Sequence, residues 1–279
     1  MTVSKINERR IKESKMSHVL KDVSDHGVAT LTINRPEVRN AWSIDTVTEM
    51  TAAVEAFRDD PRIRALVLAG AGRAFSAGGD LNWMRSILHD PDGIGRSGAE
   101  KIHRLLQAIG SFPHPVIARV NGPAFGGGFG MVCAADIAIA STEALFGLSE
   151  VRLGIVPAVI SPFVLRRLGG STARATCLTG AAIGTDEALR IGLVHRVTEP
   201  GDLDAAVSGM LGEILQSSPV AVAASKKLFN DIERADEEEH LSIALDAIAR
   251  AWRSEAAAEG ISAFLGKRPP AWRVTLADV

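Results

Sequence analysis

The chain has 279 residues, 46% of them hydrophobic, enough to bury a sizeable core without disulfide or metal staples. Its 31 basic residues nearly balance 33 acidic ones, and a net charge of −2 leaves no electrostatic footprint for nucleic acid. The two cysteines, Cys133 and Cys177, lie in apolar stretches that suit the core thiols of a reduced, cytoplasmic protein rather than a disulfide scaffold, and no tyrosine is available as an acid or base.

The first 16 residues are polar, with Lys5, Arg9, Arg10, Lys12 and Lys15 interrupted by Glu8 and Glu13. No apolar stretch follows them, which argues against a secretory signal. Residues 1–18 therefore read as a disordered leader, with Met16 as an alternative start. No run of about 18 apolar residues occurs, so no membrane span is expected. From Val19 to about residue 200 strand and helix patterns alternate, the signature of an α/β core. Val28–Ile33 alternates apolar and polar residues and is broken by Asn34-Arg35-Pro36. Ser43 is set to cap a helix carrying Val47, Met50, Val54 and Phe57, which ends before Asp59-Asp60-Pro61. Ala65–Leu68 reads as a buried strand and Ile102, Leu105, Leu106 and Ile109 as a helix face. Pro115–Val120 and Ile137–Ala140 read as further strands. Past Pro200 the pattern turns helical over 203–215, 220–232, 241–252 and 255–265, with Pro219 in a first turn. The chain thus divides into a leader (1–18), a core bearing the active site (19–200) and a helical region (201–279) that packs on the core or on another subunit.

Two glycine-rich loops carry the chemical signal. The first is Arg73-Ala74-Phe75-Ser76-Ala77-Gly78-Gly79-Asp80-Leu81. The second runs from Asn121-Gly122-Pro123 through Gly126-Gly127-Gly128 to Gly130. Each follows a strand and precedes a helix, where glycines let N–H groups approach a ligand closely. Two such groups converging on one carbonyl oxygen would make an oxyanion hole. Ordinary tight turns or nucleotide loops are the alternatives. Neither loop carries Gly-x-Gly-x-x-Gly or a P-loop, no Gly-x-Ser-x-Gly elbow occurs, and no Cys or His pair has metal spacing.

These loops, together with Phe146-Gly147-Leu148-Ser149-Glu150-Val151-Arg152-Leu153-Gly154-Ile155-Val156-Pro157, resemble the crotonase (enoyl-CoA hydratase/isomerase) superfamily. Asn34-Arg35-Pro36 with Asn40-Ala41, Leu178-Thr179-Gly180, Gly192-Leu193-Val194 and the segment from Glu259 to Arg268 extend the likeness over nearly all of Val19 to Arg268. The resemblance implies an α/β fold, a crotonase-like spiral of ββα units with a C-terminal helical trimerisation region, in a homotrimer or dimer of trimers. It implies an acyl-CoA thioester substrate, with coenzyme A as part of the substrate and no separate cofactor or metal. The N–H groups of Gly79 and Gly127 would form the oxyanion hole, with Gly126 beside them. Ala77, Asp80 and Leu81 would lie along the coenzyme A path. Lys267 or Arg268 would reach its phosphates, unless they form a solvated basic tail.

One departure stands out. Hydratases of this family carry two glutamates; here Glu150 fills one position and Gly130 the other. Three schemes remain open. Glu150 performs both proton transfers of hydration, or it shuttles a proton within the substrate as a Δ3,Δ2-enoyl-CoA isomerase. Alternatively, the substrate's own carboxylate replaces the lost glutamate in room left by Gly130. Ser149–Arg152 followed by Ala158-Val159-Ile160-Ser161 is similar to methylglutaconyl-CoA and isohexenylglutaconyl-CoA hydratases of leucine and terpenoid degradation. That favours a branched or carboxylated enoyl-CoA such as 3-methylglutaconyl-CoA. Arg152 is a candidate partner for such a carboxylate, against a surface role or an ion pair behind the site. His89 and His114 are expected to be structural. A non-catalytic acyl-CoA-binding scaffold is the reading from a different class.

Overall fold

The computed structural model describes residues 17–274. The expected leader lies outside the described residues up to residue 16, as does the end of the helical region from 275. Ser17 and His18 belong to the fold instead: the Ser17 hydroxyl and the His18 N–H both donate to Glu49 at 3.0 Å.

Strands β1 (Val19–Val23) and β2 (Val28–Ile33) form an antiparallel hairpin. Helix α1 (Ile44–Arg58) starts where the sequence places its cap, with Thr46 N–H donating to Ser43 Oγ at 3.2 Å. Then follow β3 (Ala65–Gly70), α2 (Leu81–His89), α3 (Arg96–Gly110), β4 (Val116–Val120), β5 (Ala124–Phe125) and α4 (Gly127–Ala134). After β6 (Ile137–Ser141) and β7 (Phe146–Gly147) come α5 (Ser161–Thr179), α6 (Thr185–Arg190), β8 (Arg196–Thr198), α7 (Leu203–Gln216), α8 (Pro219–Arg234), α9 (His240–Trp252) and α10 (Glu255–Leu265).

The main sheet has six strands in the order β1-β2-β3-β4-β6-β8, parallel from β2 onward. Its middle strands read as unbroken apolar runs because both faces are covered. Leu66 and Leu68 face the main core with Phe75, Leu105 and Phe129. Val67, Ile117 and Ile139 face the opposite way, onto Leu203, Val207 and Leu211 of α7. A second, smaller layer pairs β5 with β7 in parallel and is extended by bridges from Ser76 to Ala124 and from Phe146 to Ile183. The chain thus repeats one path: a strand of the large sheet, a short segment of the small layer, then a helix. It does so through β3, Ser76 and α2, through β4, β5 and α4, and through β6, β7 and α5. This is the ββα spiral of the resemblance. The short strands β5, β7 and β8 carry no periodicity of their own in the sequence; only their neighbours make them strands.

Helices α8 and α9 have no fully buried residue. Phe229, Leu241, Leu245, Trp252 and Phe264 are all more than half exposed. Among the described residues no helix is long and apolar enough to cross a membrane.

Candidate active site

The first glycine loop is shaped by Asn40, which is fully buried with a positive φ of 56°. Its side-chain amide donates to the carbonyls of Ala71 and Ala74 at 2.8 and 2.7 Å, and its Oδ1 accepts from Arg35 N–H at 2.9 Å. Its own carbonyl accepts from Ser76 Oγ at 2.9 Å. A buried amide with every polar group paired fixes a loop that has no regular structure of its own.

The second loop is tied to the first by main-chain hydrogen bonds. Phe75 and Ser76 N–H donate to Pro123 C=O at 3.1 and 3.0 Å, and Phe125 N–H donates to Ser76 C=O at 2.9 Å. On its other side, Gly126 N–H donates to Gly147 C=O at 3.1 Å. The pairing of Ala124 with Phe146 and of Phe125 with Gly147 therefore sets the register between Gly126 and the segment that carries Glu150.

Trp42, which the sequence reading passed over, touches both loops. Its N–H donates to Gly78 C=O at 2.7 Å and its C=O accepts from Asp80 N–H at 3.0 Å, bridging it to Gly79. Its buried ring lies against Gly127, where an added Cβ would come within 2.7 Å of two ring carbons. Among the described residues no acceptor pairs with the N–H of Gly79 or of Gly127. Trp42 follows the Asn40-Ala41 motif directly. The ring's partner lies far along the chain, so no local pattern announces the contact.

Glu150 sits in the first turn of a short 3-10 helix, Ser149–Leu153, which Gly154 ends in a left-handed conformation. It is half-buried. Its Oε1 stands 3.2 Å from where a Cβ on Gly126 would be, and Gly126 has a φ of +49°, so any side chain there meets both backbone strain and the carboxyl. Its Oε2 is buried without a hydrogen-bond partner. Burial pushes the Glu150 carboxyl above the usual carboxylate range, opposed in part by its own N–H. A carboxyl held this way, beside two loops whose Gly79 and Gly127 N–H groups have no acceptor among the described residues, is a candidate to take and return a proton.

Ala77, near the end of the first loop, and Leu81, at the start of α2, are exposed. Asp80, expected along the coenzyme A path, caps α2 through Asn82 N–H at 2.9 Å and pairs with Arg35 at 3.1 Å. Burial raises its carboxyl, but the hydrogen bonds from Asn82, Arg35 and Trp83 outweigh this and leave it below its ordinary value. A Cβ on Gly130 would stand 2.7 Å from Ile160 Cγ2 and 3.3 Å from Leu106 Cδ1, so a side chain there would meet hydrocarbon. Arg152 is exposed and lies against Gly180 at the C-terminal end of α5, with no carboxylate paired to it among the described residues. Arg268 is held in two hydrogen bonds by Glu259, at 2.7 and 2.8 Å, whereas Lys267 has no ion-pair partner among the described residues. His114 lies beside Lys226, which donates to its carbonyl at 3.0 Å, and His89 is exposed in the last turn of α2. Among the described residues no group of three or more His, Cys, Asp or Glu is placed to hold a metal ion.

Comparison with known proteins gives the family and the fold. The sequence profile of the enoyl-CoA hydratase/isomerase family matches residues 24–275. The crotonyl-CoA hydratase of Syntrophomonas wolfei is 38% identical over 244 residues, covering 86% of this chain and 92% of that protein. Among solved structures, Pseudomonas aeruginosa AtuE superposes with a TM-score of 0.89 at 39% identity, covering 92% of this chain and 100% of its own. An enoyl-CoA hydratase from Shewanella pealeana superposes with a TM-score of 0.88 at 35% identity, covering 94% and 98%.

The double contact of Trp42 generates a prediction. Trp42→Phe keeps an aromatic ring but loosens the packing on Gly127. If the Gly127 N–H serves as an oxyanion-hole donor, the expected result is a fall in kcat of about tenfold or more with little change in KM, since such a donor contributes about 10²–10³ in kcat. Steady-state kinetics on an enoyl-CoA ester check this, and an unchanged kcat shows that Trp42 does not position the donors.

Proposed function

Because this chain belongs to the enoyl-CoA hydratase/isomerase (crotonase) family, we propose that it is a hydro-lyase that adds water across the double bond of a 2-enoyl-CoA ester, with Glu150 as its sole proton-transferring side chain. The observation that carries this reading is the half-buried Glu150 carboxyl against Gly126, its Oε2 unpaired, in register with the Gly127 N–H, which has no acceptor among the described residues. The N–H groups of Gly79 and Gly127 donate to the thioester oxygen and stabilise the negative charge that develops there when C3 is attacked. Glu150 takes a proton from water as the water oxygen bonds to C3, and returns it to C2 as the enolate collapses. The names of the relatives support hydration. A Δ3,Δ2-isomerase is the second reading, favoured by the apolar Ile160 and Leu106 in place of a second acid.

For the acyl group, we favour a branched or carboxylated ester such as 3-methylglutaconyl-CoA, on the likeness of Ser149–Arg152 and Ala158–Ser161 to hydratases of that kind. Ile160 suits an apolar branch, and the exposed, unpaired Arg152 is the cation left for a distal carboxylate. The exposed apolar side chains of α8, α9 and α10 support a homotrimer or dimer of trimers, in which Lys267 of one subunit reaches the coenzyme A phosphates of another.

Three measurements test these readings. Glu150→Gln should lower kcat by about 10²–10⁴-fold with coenzyme A ester affinity nearly intact. In the wild type, solvent 18O should enter the product, and its absence while the double bond migrates would identify an isomerase. The acid limb of the kcat/KM profile should lie above the usual carboxylate range and disappear in the variant. The sign for stability follows from the same shift. A raised folded pKa gives stability that is full below the unfolded value and lost as pH rises through the folded one. Glu150→Gln should therefore gain Tm over wild type only on the alkaline side.

A panel of enoyl-CoA esters should give the highest kcat/KM for a 3-methyl, carboxylated member, and Arg152→Gln should erase that preference selectively; equal values across the panel remove the substrate reading. Light scattering should give a trimer or hexamer that Leu245→Glu dissociates, whereas a wild-type monomer would end the assembly reading.

A further inference from the structure

The hydrogen bond from Gly130 N–H to Gly126 C=O, 2.9 Å, sets Gly130 one helical turn beyond the glycine that faces Glu150. The space beside Gly130 is filled. A Cβ there would stand 2.7 Å from Ile160 Cγ2 and 3.0 Å from Ile160 Cβ, with Leu106 Cδ1 at 3.3 Å. Rotation of the isoleucine side chain relieves the first contact but not the second, because Cβ does not move with χ1. Nor is the Ile160 main chain free to retreat. Its carbonyl accepts from Phe163 and Val164 N–H at 3.1 Å each, and it caps α5 directly before Ser161 and Pro162. Ile160 is only 3% exposed.

We propose that Ile160 is the residue that holds this site to a single carboxylate: positions 130 and 160 compete for one volume, so a side chain at 130 requires a far smaller residue than isoleucine at 160. This rests on the hydration reading for its chemical meaning and on packing alone for its physical content. The wall beside Gly130, one helical turn from Gly126, is hydrocarbon, made by Ile160 and Leu106. No acid at position 130 can share the proton transfers, and no substrate carboxylate can be seated there. The acyl group that reaches this wall is met by aliphatic carbon, which selects for an apolar branch. The titratable groups around it are Glu150, His103 of α3 and Cys177 of α5, whose thiol is raised by burial and by the Glu150 charge.

A double-mutant cycle tests the packing. Gly130→Ala should lower Tm by about 3–10 °C through overlap, and Ile160→Ala by a similar amount through a cavity. The pair should be less destabilised than the sum of the two by about 3 °C or more. Strict additivity overturns the proposal, whatever reaction the enzyme performs. The functional arm compares Gly130→Glu with Gly130→Glu/Ile160→Gly on crotonyl-CoA. The single variant should lose at least about tenfold in turnover or fail to fold. The double variant should fold, and its kcat/KM profile should show a second carboxylate ionisation that wild type lacks. A single variant with wild-type Tm and turnover overturns the proposal. Coupling in the cycle together with no hydration by wild type upholds the packing and sinks the hydration reading instead.

Discussion

The site depends on a strand two residues long. Ala124 and Phe125 are hydrogen-bonded on both sides, to Ser76 of the first glycine loop and to the β7 segment that leads to Glu150. Each bond is a modest contribution to stability, about 0.5–1.5 kcal/mol. Their effect on position is larger than their energy. A shift of one residue in this pairing would turn alternate side chains to the other face and carry Glu150 away from Gly126. The large sheet supplies rigidity, and the small layer supplies alignment.

That alignment explains the electrostatics. A carboxyl oxygen buried without a partner is unfavourable, and the fold tolerates it at Glu150 because the surrounding glycines and hydrocarbon leave nothing to pair with it. Asp80 is the contrast within the same pair of loops. It too is buried, yet Arg35 and the α2 N-terminus hold it ionised. One carboxylate is fixed as a structural anion and the other is left free to change charge. Environment, and not residue type, separates the two roles.

The missing second acid has a structural counterpart. Gly130 removes a side chain and Ile160 fills the space, so the core remains close-packed. Farther out, α8 to α10 leave Phe229, Leu245, Trp252 and Phe264 exposed.

The amino-acid sequence by itself determined the elements whose partners are local: the Ser43 cap, the period of α1 and α3, the unbroken apolar β3, and the helices past Pro200. It also marked the two glycine loops and Glu150, because motif order along the chain survives without coordinates. Trp42, the filled space at Gly130, the capping role of Asp80 and the placement of Arg152 against Gly180 were decided only by the tertiary structure. Each is a contact between side chains or loops distant in sequence. Periodicity and spacing report what a residue needs from its near neighbours, whereas the occupant of a volume is set by whichever remote segment the sheet order brings there. For the same reason the sequence could show that a glutamate was absent at position 130, but only packing could show that nothing else can take its place.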